Sequence, residues 1–491
     1  MMATAARIAH STIYQTAGKI AAVVLGTIQF LLIIHYFGDI GSGIYATVTA
    51  FLGIAVVLAD LGLHIVNVTN LSKPGADERK ILSNAFTLRV VSMMIIFGLA
   101  IVAGYFWLPS SPEVRLGIVF AGLSFAFLGV NQIFVGVFQK YLVNHMLVLG
   151  EIIAKTIVIA AVIILAKFGY GVLGVLLTLN LAFGIHLTLT MYFAYRLVPF
   201  GFAFNAALWQ NLLRQSWPLA FSGVLNLIYF KVDTVILESM HGAAAAGVYS
   251  LPYKILEVLI AFPVLFAGLL LPILSAAAVT NFDRFKNIIQ HGFNVLVYIV
   301  CLIIAGTLAF AEPIIRIAAY DRFAEFADSV MLLRLVIVAV GFLFIGNLFG
   351  HAIPALGLQK KMIWGYAVGA VVGLALYFTL IPKFSYYGAA IGTIITEAVV
   401  AFYATRLVLK RTDHKLKLNG LAKAILAASM TGLLSYWAAD FIPLASWFGA
   451  VMVTLPLLAT AAIFYIIVLY KLGGITRADL KLLIPDSHKR F

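Results

Sequence analysis

Residues Gln215 to Pro272 read QSWPLAFSGVLNLIYFKVDTVILESMHGAAAAGVYSLPYKILEVLIAFPVLFAGLLLP and contain two long apolar runs that break at His241 and Gly242. Each run has the roughly 20 residues that an α-helix needs to cross a bilayer. The pattern therefore predicts a transmembrane helical hairpin. Five ionisable residues interrupt it: Lys231, Asp233, Glu238, Lys254 and Glu257. Because a charge facing lipid costs roughly 2.5–3.5 kcal/mol, we expect these side chains to face a polar or hydrated interior.

The composition extends this prediction to the whole chain. Of its 491 residues, 63% are hydrophobic and 11% are charged, and the mean hydropathy is +1.06. A chain of this length with so few polar residues cannot coat a water-soluble globule. Its single cysteine, Cys301, cannot form an intrachain disulfide. Apolar runs separated by short turns predict an all-α polytopic membrane protein with about 14 transmembrane helices.

The distribution of basic residues explains the net charge of +14. Most lysines and arginines of the connections fall on one side of the predicted membrane. The other side has only Arg115, Lys167, Arg316, Arg322 and Lys383. This asymmetry predicts that both termini are cytoplasmic, with anionic lipid rather than nucleic acid as the counter-charge. The first apolar stretch is too long for a signal-peptide core, so we expect it to remain in the mature protein.

Short patterns recur in the same order along the two halves. Gly43-Ile44-Tyr45 matches Gly247-Val248-Tyr249, and Tyr170-Gly171 matches Tyr387-Gly388. Such recurrence predicts a duplicated unit of six spans, and an even number of spans gives both copies the same orientation. The predicted organisation is an N-terminal lobe (1–197), a cytoplasmic amphipathic linker (198–215), a C-terminal lobe (216–410), and two further helices with a cytoplasmic tail (411–491).

The charges at membrane depth are the candidate functional residues. Cations there could hold a phosphate or an acidic sugar, and carboxylates could bind a coupling H⁺ or Na⁺. The candidate substrate-pathway cations are Lys19, Arg89, Lys231, Lys254 and Arg334. The candidate ion-coupling carboxylates are Asp60, Asp233, Glu257 and Glu397.

Structural roles compete with these functional ones. Glu151 and Lys155 have the i,i+4 spacing of a pair within one helix. Lys19 and Arg89 are near enough to the cytoplasmic side to snorkel. Asp233 could form a fixed salt bridge with Lys254 or Arg334, and Glu397 could be a permanently protonated core residue.

Signatures of catalysis are missing from the sequence. It has no P-loop, no Gly-x-Ser-x-Gly elbow, no His-Glu-x-x-His motif and no cysteine cluster. The ten histidines have no metal-ligand spacing. We therefore expect neither an enzyme nor a resident metal or cofactor.

Several loose patterns together resemble one known family. They are Gly38-Asp39-Ile40-Gly41-Ser42-Gly43-Ile44-Tyr45, Asp60-Leu61-Gly62-Leu63, Trp217-Pro218 with Asp233, Leu271-Pro272, Gln359-Lys360-Lys361 and Tyr387-Gly388-Ala389-Ala390. In this order they resemble the polysaccharide-transporter (oligosaccharide flippase) branch of the multidrug/oligosaccharidyl-lipid/polysaccharide exporter superfamily. The resemblance covers nearly all of the chain.

The resemblance implies a two-lobed helical protein of a bacterial inner membrane. It would move an undecaprenyl-diphosphate-linked oligosaccharide to the outer leaflet by alternating access, for surface polysaccharide synthesis. Its expected partners are the lipid-linked oligosaccharide, membrane lipids, H⁺ or Na⁺, and polysaccharide polymerase and export proteins. Two alternatives stay open: a cation-coupled multidrug exporter of the same superfamily, and a polyprenyl-glycan polymerase or ligase. The outer connections are too short to supply the large catalytic loop of such an enzyme.

Overall fold

The computed structural model describes residues 2–60, 62–439, 442 and 446–474. Helices make up nearly all of this part of the chain, and it contains no strand. The helices are α1 (Met2–Asp60), α2 (Leu63–Leu71), α3 (Glu78–Phe106), α4 (Pro112–Asn131), α5 (Val135–Lys140), α6 (His145–Lys167), α7 (Val172–Leu197), α8 (Ala206–Thr280), α9 (Phe282–Ala309), α10 (Ala311–Ala319), α11 (Ser329–Ala355), α12 (Gln359–Thr412), α13 (Asn419–Ala439) and α14 (Trp447–Lys471). The predicted cytoplasmic tail after residue 474 lies outside the described residues.

Among the described residues, eleven helical segments are long and apolar enough to cross a membrane. Three of them, with 45, 51 and 54 residues, are about twice the length that one crossing needs. Each of these three contains a residue with non-helical backbone angles: Gly38 in α1, Gly242 in α8 and Ser385 in α12. Each therefore holds two spans, and the prediction of about fourteen transmembrane helices is confirmed.

Glycine sets two of these breaks. Gly38 has φ 67° and Gly242 has φ 83°, in the left-handed region that side chains disfavour. The break predicted at His241 and Gly242 is thus confirmed. The two glycines are 204 positions apart, the same offset that separates Gly43 from Gly247 in the sequence. The hairpins α1 and α8 therefore bend at equivalent points of the repeat.

The described chain divides into two compact units, Met1–Lys254 with Tyr366–Thr396, and Ile255–Gly365 with Glu397–Phe491. In the first unit, α1 packs on α3, α4 and α6, and α7 packs on α4 and α6. Its core includes the fully buried side chains of Ile33, Phe134 and Phe138. The predicted division into lobes at 198–215 stays a prediction.

The second unit is built around α9. This helix packs against α11 and α13, and α14 packs against α13 and α10. The Tyr465 hydroxyl on α14 donates to the Tyr298 carbonyl oxygen on α9 at 2.8 Å. The last two helices thus have specific contacts with one helix of the unit.

The segment 198–205, in the predicted linker, is not helical. It lies along α3, where the Ser83 and Thr87 hydroxyls accept hydrogen bonds from the backbone amides of Gly201 and Ala203. Phe202 and Phe204 remain mostly exposed. Exposed aromatic side chains beside a basic membrane surface suit the interfacial position that the sequence predicts.

Candidate functional site

The most deeply buried carboxylate of the α8 hairpin is Asp233, which has no exposed surface. The Tyr249 hydroxyl donates to its Oδ2 at 2.7 Å, and Thr393 Oγ1 lies 3.3 Å from the same atom. Its Oδ1 accepts from the Thr234 amide at 2.7 Å. Tyr377 reaches Thr393 at 3.3 Å and extends the cluster. The carboxylate is thus held by hydroxyl and amide donors, where the sequence suggested a salt bridge.

The chain brings these groups together through two features. Asp233 and Tyr249 are on opposite arms of the α8 hairpin, which turns at Gly242. Thr393 and Tyr377 are on the two arms of α12, which breaks at Ser385. A buried carboxylate held by neutral hydroxyls can bind a proton or a small cation without first separating from a fixed basic partner. We call Asp233, Tyr249, Thr393 and Tyr377 the Asp233 cluster.

The first hairpin contains a neutral copy of this arrangement. Gln29 donates to the Tyr45 hydroxyl at 2.6 Å, and these residues precede Asp233 and Tyr249 by the repeat offset of 204 positions. Both pairs also have the same spacing of 16 residues. An amide does not ionise near neutral pH, whereas a carboxylate can gain and lose a proton. Of these two equivalent positions, the one in the second half of the repeat carries the titratable group.

Two predicted pathway cations lie on the same hairpin as Asp233. Lys231 Nζ is 5.2 Å from the Tyr253 ring centroid and 5.5 Å from that of Phe230, while Lys254 Nζ is 6.0 Å from the Phe30 ring. These distances suit cation–π attraction. Both lysines are only partly buried. The first unit thus places two cations near aromatic faces, a combination that can contact phosphate and sugar rings.

Asp60 and Arg89 belong to a separate buried network. The Arg89 side chain has no exposed surface and forms an ion pair with Asp60. Its Nε donates to the Gly129 carbonyl oxygen at 2.8 Å, and a terminal nitrogen donates to Gln132 Oε1 at 3.0 Å. His64 Nδ1 lies 2.5 Å from the other Asp60 oxygen. Arg89 therefore does not snorkel; it is one of several groups that fix α1, α3 and α4 to each other.

The remaining candidates occupy different environments. Lys19 is exposed, and Glu257 is partly buried. Glu397 is buried in the second unit, where Arg334 lines a pocket between α9, α11 and α13. The spacing of Glu151 and Lys155 correctly predicted a pair, since their charged atoms are 3.7 Å apart.

Glu238, another ionisable residue of the α8 hairpin, is 2% exposed. Its carboxylate accepts from the backbone amide of Ser111, the residue that precedes α4. A carboxylate at the beginning of a helix is stabilised by the helix dipole. Glu238 thus anchors α4 within the first unit.

Glycine permits a close crossing of the α1 and α8 hairpins inside the first unit. A Cβ on Gly43 would collide with the Ala243 carbonyl oxygen, and a Cβ on Gly247 would collide with the Asp39 carbonyl oxygen. Asp39 and Ala243 are 204 positions apart, as are Gly43 and Gly247, so the two close contacts are equivalent under the repeat. Small residues allow such backbone contact between membrane helices. The crossing thus pairs equivalent positions of the two hairpins.

A single methyl group at this crossing is expected to destabilise the protein. Gly247→Ala should lower the free energy of unfolding by about 1–3 kcal/mol, because neither backbone can move away freely. Gly53→Ala is the matched control, since its Cβ would meet nothing within 4 Å and alanine favours a helix. Thermal unfolding of the purified protein in detergent measures both. Equal stability of the two variants would mean that the crossing is not in contact.

Sequence reasoning missed most partners of the buried charges. Tyr249 was noted as part of a repeated pattern and not as a partner of Asp233, and Thr393, Tyr377, Gln132 and His64 were not singled out. The spacing of 16 residues within both Gln29–Tyr45 and Asp233–Tyr249, combined with the repeat, is the signal that could have found the tyrosine.

Comparison with known proteins gives one sequence family and one relative. Residues 8–278 match the profile of the family described as polysaccharide biosynthesis protein. An uncharacterized membrane protein of Methanocaldococcus jannaschii is 23% identical over 292 residues, which cover 57% of this chain and 68% of the relative.

Solved structures share the fold over most of the chain. The lipid II flippase MurJ, in an inward closed conformation, aligns with a TM-score of 0.78 at 14% identity, covering 96% of this chain and 100% of that one. An inward-facing multidrug resistance transporter of the MATE family, in the MOP superfamily, aligns with a TM-score of 0.67 at 15% identity, covering 82% and 98%. A MOP superfamily transporter from Pyrococcus furiosus has a TM-score of 0.59 at 12% identity, covering 83% and 95%. At such identities, these alignments establish the fold.

Proposed function

The chain belongs to the polysaccharide biosynthesis protein family, and from this premise we propose that it is a flippase for a lipid-linked oligosaccharide. The substrate class is an undecaprenyl-diphosphate-linked oligosaccharide destined for a surface polysaccharide such as O-antigen, capsule or exopolysaccharide. The proposed location is a bacterial inner membrane, with both termini cytoplasmic. Polysaccharide polymerase and export proteins are the proposed partners.

One observation carries this proposal: the fold matches that of a protein named a lipid II flippase over 96% of this chain. That alignment covers 96% of this chain, whereas the family profile ends at residue 278. A family concerned with polysaccharide synthesis and a fold used to move a lipid across a membrane together favour a lipid-linked glycan as the cargo.

The residues of the first unit support a division of roles. Lys231 and Lys254, beside aromatic rings, are proposed to contact the diphosphate and the first sugars of the cargo. The Asp233 cluster is proposed to bind the coupling ion, H⁺ or Na⁺. Asp60, paired with Arg89, is assigned a structural role. Lys19, Glu257 and Glu397 stay proposed pathway or coupling positions, whereas Arg334, which lines a pocket of the second unit, is not assigned to the pathway.

Alternating access requires that the ion site and the cargo site respond to the same movement. Asp233 and Lys231 are on one arm of the α8 hairpin, two residues apart, so a tilt of that arm moves both. The hairpin also carries the glycine crossing with α1. We propose that loading Asp233 changes the tilt of this arm and so alters access to the cargo site.

A cell-based experiment tests the function. In cells that lack the chain, we expect lipid-linked oligosaccharide to accumulate at the cytoplasmic face, where a membrane-impermeant glycosidase added outside cannot reach it. The wild-type chain should restore polymer at the surface, and Lys231→Arg should do so in part. Lys231→Ala should fail while it is present in the membrane at the wild-type level. Accumulation of substrate that the external glycosidase does degrade, and that is therefore at the outer face, would instead indicate a polymerase or ligase.

The second candidate, a cation-coupled multidrug exporter, is favoured by the MATE-family alignment over 82% of this chain. It predicts that loss of the chain sensitises cells to cationic drugs and leaves surface polysaccharide unchanged. The flippase proposal predicts the reverse pattern in the same strains.

A further inference from the structure

The second unit contains an open pocket between α9, α11 and α13, with a volume of about 710 Å³. Most of its lining is aliphatic, with Ile304 and Leu308 on α9 and Ile425 and Leu433 on α13. The pocket lies among helices long and apolar enough to span the membrane. Its walls therefore suit a hydrocarbon chain.

Among the described residues that line the pocket, one is charged, and it is Arg334. Its Nε is buried and has no hydrogen-bond partner within the described part of the chain. A guanidinium in an apolar pocket at membrane depth is costly unless an anion neutralises it. The pocket thus combines hydrocarbon-compatible walls with one positive charge that an anionic ligand would stabilise.

The position of Arg334 along α11 sets the depth of the anion. Arg334 is the sixth residue of a helix that begins at Ser329, so it lies about 8 Å from the helix end. The α9 lining residues run from Cys301 to Ala309, where that helix ends, and the α13 lining residues run from Ile425 to Tyr436 through the middle of their helix. The Arg334 end of the pocket is therefore near one membrane surface, and its apolar walls extend to the depth of acyl chains. The basic-residue asymmetry predicts that this is the outer surface.

We propose that this pocket is a binding site for an anionic phospholipid of the bilayer. Its phosphodiester would pair with Arg334, and one acyl chain would lie along the α9 and α13 walls. One guanidinium matches the single negative charge of a phosphodiester, whereas a diphosphate carries more charge and needs further cations. The site goes beyond the proposed transport function and does not depend on which cargo is moved.

The experiment measures how much phosphatidylglycerol stays bound when the protein is released from nanodiscs of phosphatidylglycerol and phosphatidylcholine, using native mass spectrometry. We expect the wild type to retain phosphatidylglycerol. Arg334→Gln should reduce retention about tenfold, the effect of losing roughly one charge-assisted contact. Arg322→Gln is the matched control, because Arg322 pairs with Glu325 outside the pocket lining.

A second variant keeps the charge and fills the space. Ser429→Phe should displace the acyl chain and lower retention while Arg334 remains, so the proposal stays testable if Arg334→Gln fails to fold. Retention that is equal in wild type, Arg334→Gln and Ser429→Phe would overturn the proposal. Displacement of phosphatidylglycerol from the wild type by equimolar undecaprenyl diphosphate would also overturn it, because the pocket would then be a cargo site.

Discussion

Asp233→Asn is expected to reduce glycan export to background while leaving the protein folded. Asparagine has nearly the same shape, and its one oxygen can still accept the hydrogen bonds of Tyr249 and Thr393, while the bond from the Thr234 amide is lost. It cannot gain and lose a proton near neutral pH, and it is a weaker ligand for Na⁺ than a carboxylate. Surface polysaccharide in complemented cells measures export, and thermal unfolding measures the fold.

The repeat supplies the matched control for this variant. Gln29→Met removes the equivalent hydrogen bond to Tyr45, which should cost about 0.5–1.5 kcal/mol of stability and preserve export. If Asp233→Asn exports glycan at the wild-type rate, Asp233 is a structural residue and the coupling ion binds elsewhere. If Gln29→Met loses export as well, the hairpins are sensitive to changes that leave the charge unaltered, and the loss in Asp233→Asn is no evidence for ion coupling.

Arg89→Leu is expected to give the largest loss of stability, about 3–5 kcal/mol. The substitution leaves the Asp60 carboxylate buried without its guanidinium, and removing one partner of a buried pair has a cost of this size. His64, 2.5 Å from Asp60, should keep the loss towards the lower end of the range. Equilibrium unfolding in detergent measures the change.

The double variant Asp60→Leu/Arg89→Leu tests whether the two charges serve only to neutralise each other. Replacing both charges by apolar groups should recover most of the stability, since a buried pair is often matched by hydrophobic packing. Lys155→Ala serves as the control, because the Lys155–Glu151 pair is partly exposed and should contribute no more than about 1 kcal/mol. A double variant that is as unstable as Arg89→Leu would show that the charges do more than neutralise each other.

Much of the fold could be predicted because membrane helices have strong local signals. Apolar runs of about 20 residues are set by the thickness of the bilayer, and the break at Gly242 follows from glycine's tolerance of positive φ. The internal repeat also predicted that the α1 and α8 hairpins are equivalent. The same glycines that marked the repeat in sequence, Gly43 and Gly247, are the ones that cross in the structure.

The partners of the buried charges could not be predicted in the same way. Thr393 is 160 positions from Asp233, and Arg89 is 29 positions from Asp60. No periodicity within one helix relates such residues; only the packing of different helices brings them together. Hydroxyl side chains also occur throughout apolar helices, where they bond to their own backbone, so Thr393 has no distinguishing mark in the sequence.

Movement of a lipid-linked glycan across the bilayer is the central proposed activity, and a reconstituted system tests it directly. The purified chain is placed in vesicles that contain a fluorescent undecaprenyl-diphosphate-linked oligosaccharide, and a membrane-impermeant glycosidase is added outside. We predict that degradation continues beyond the pool initially present in the outer leaflet, and that Asp233→Asn vesicles stop at that pool. Degradation by wild-type vesicles that also stops at the outer-leaflet pool, with or without an imposed H⁺ or Na⁺ gradient, would contradict the account.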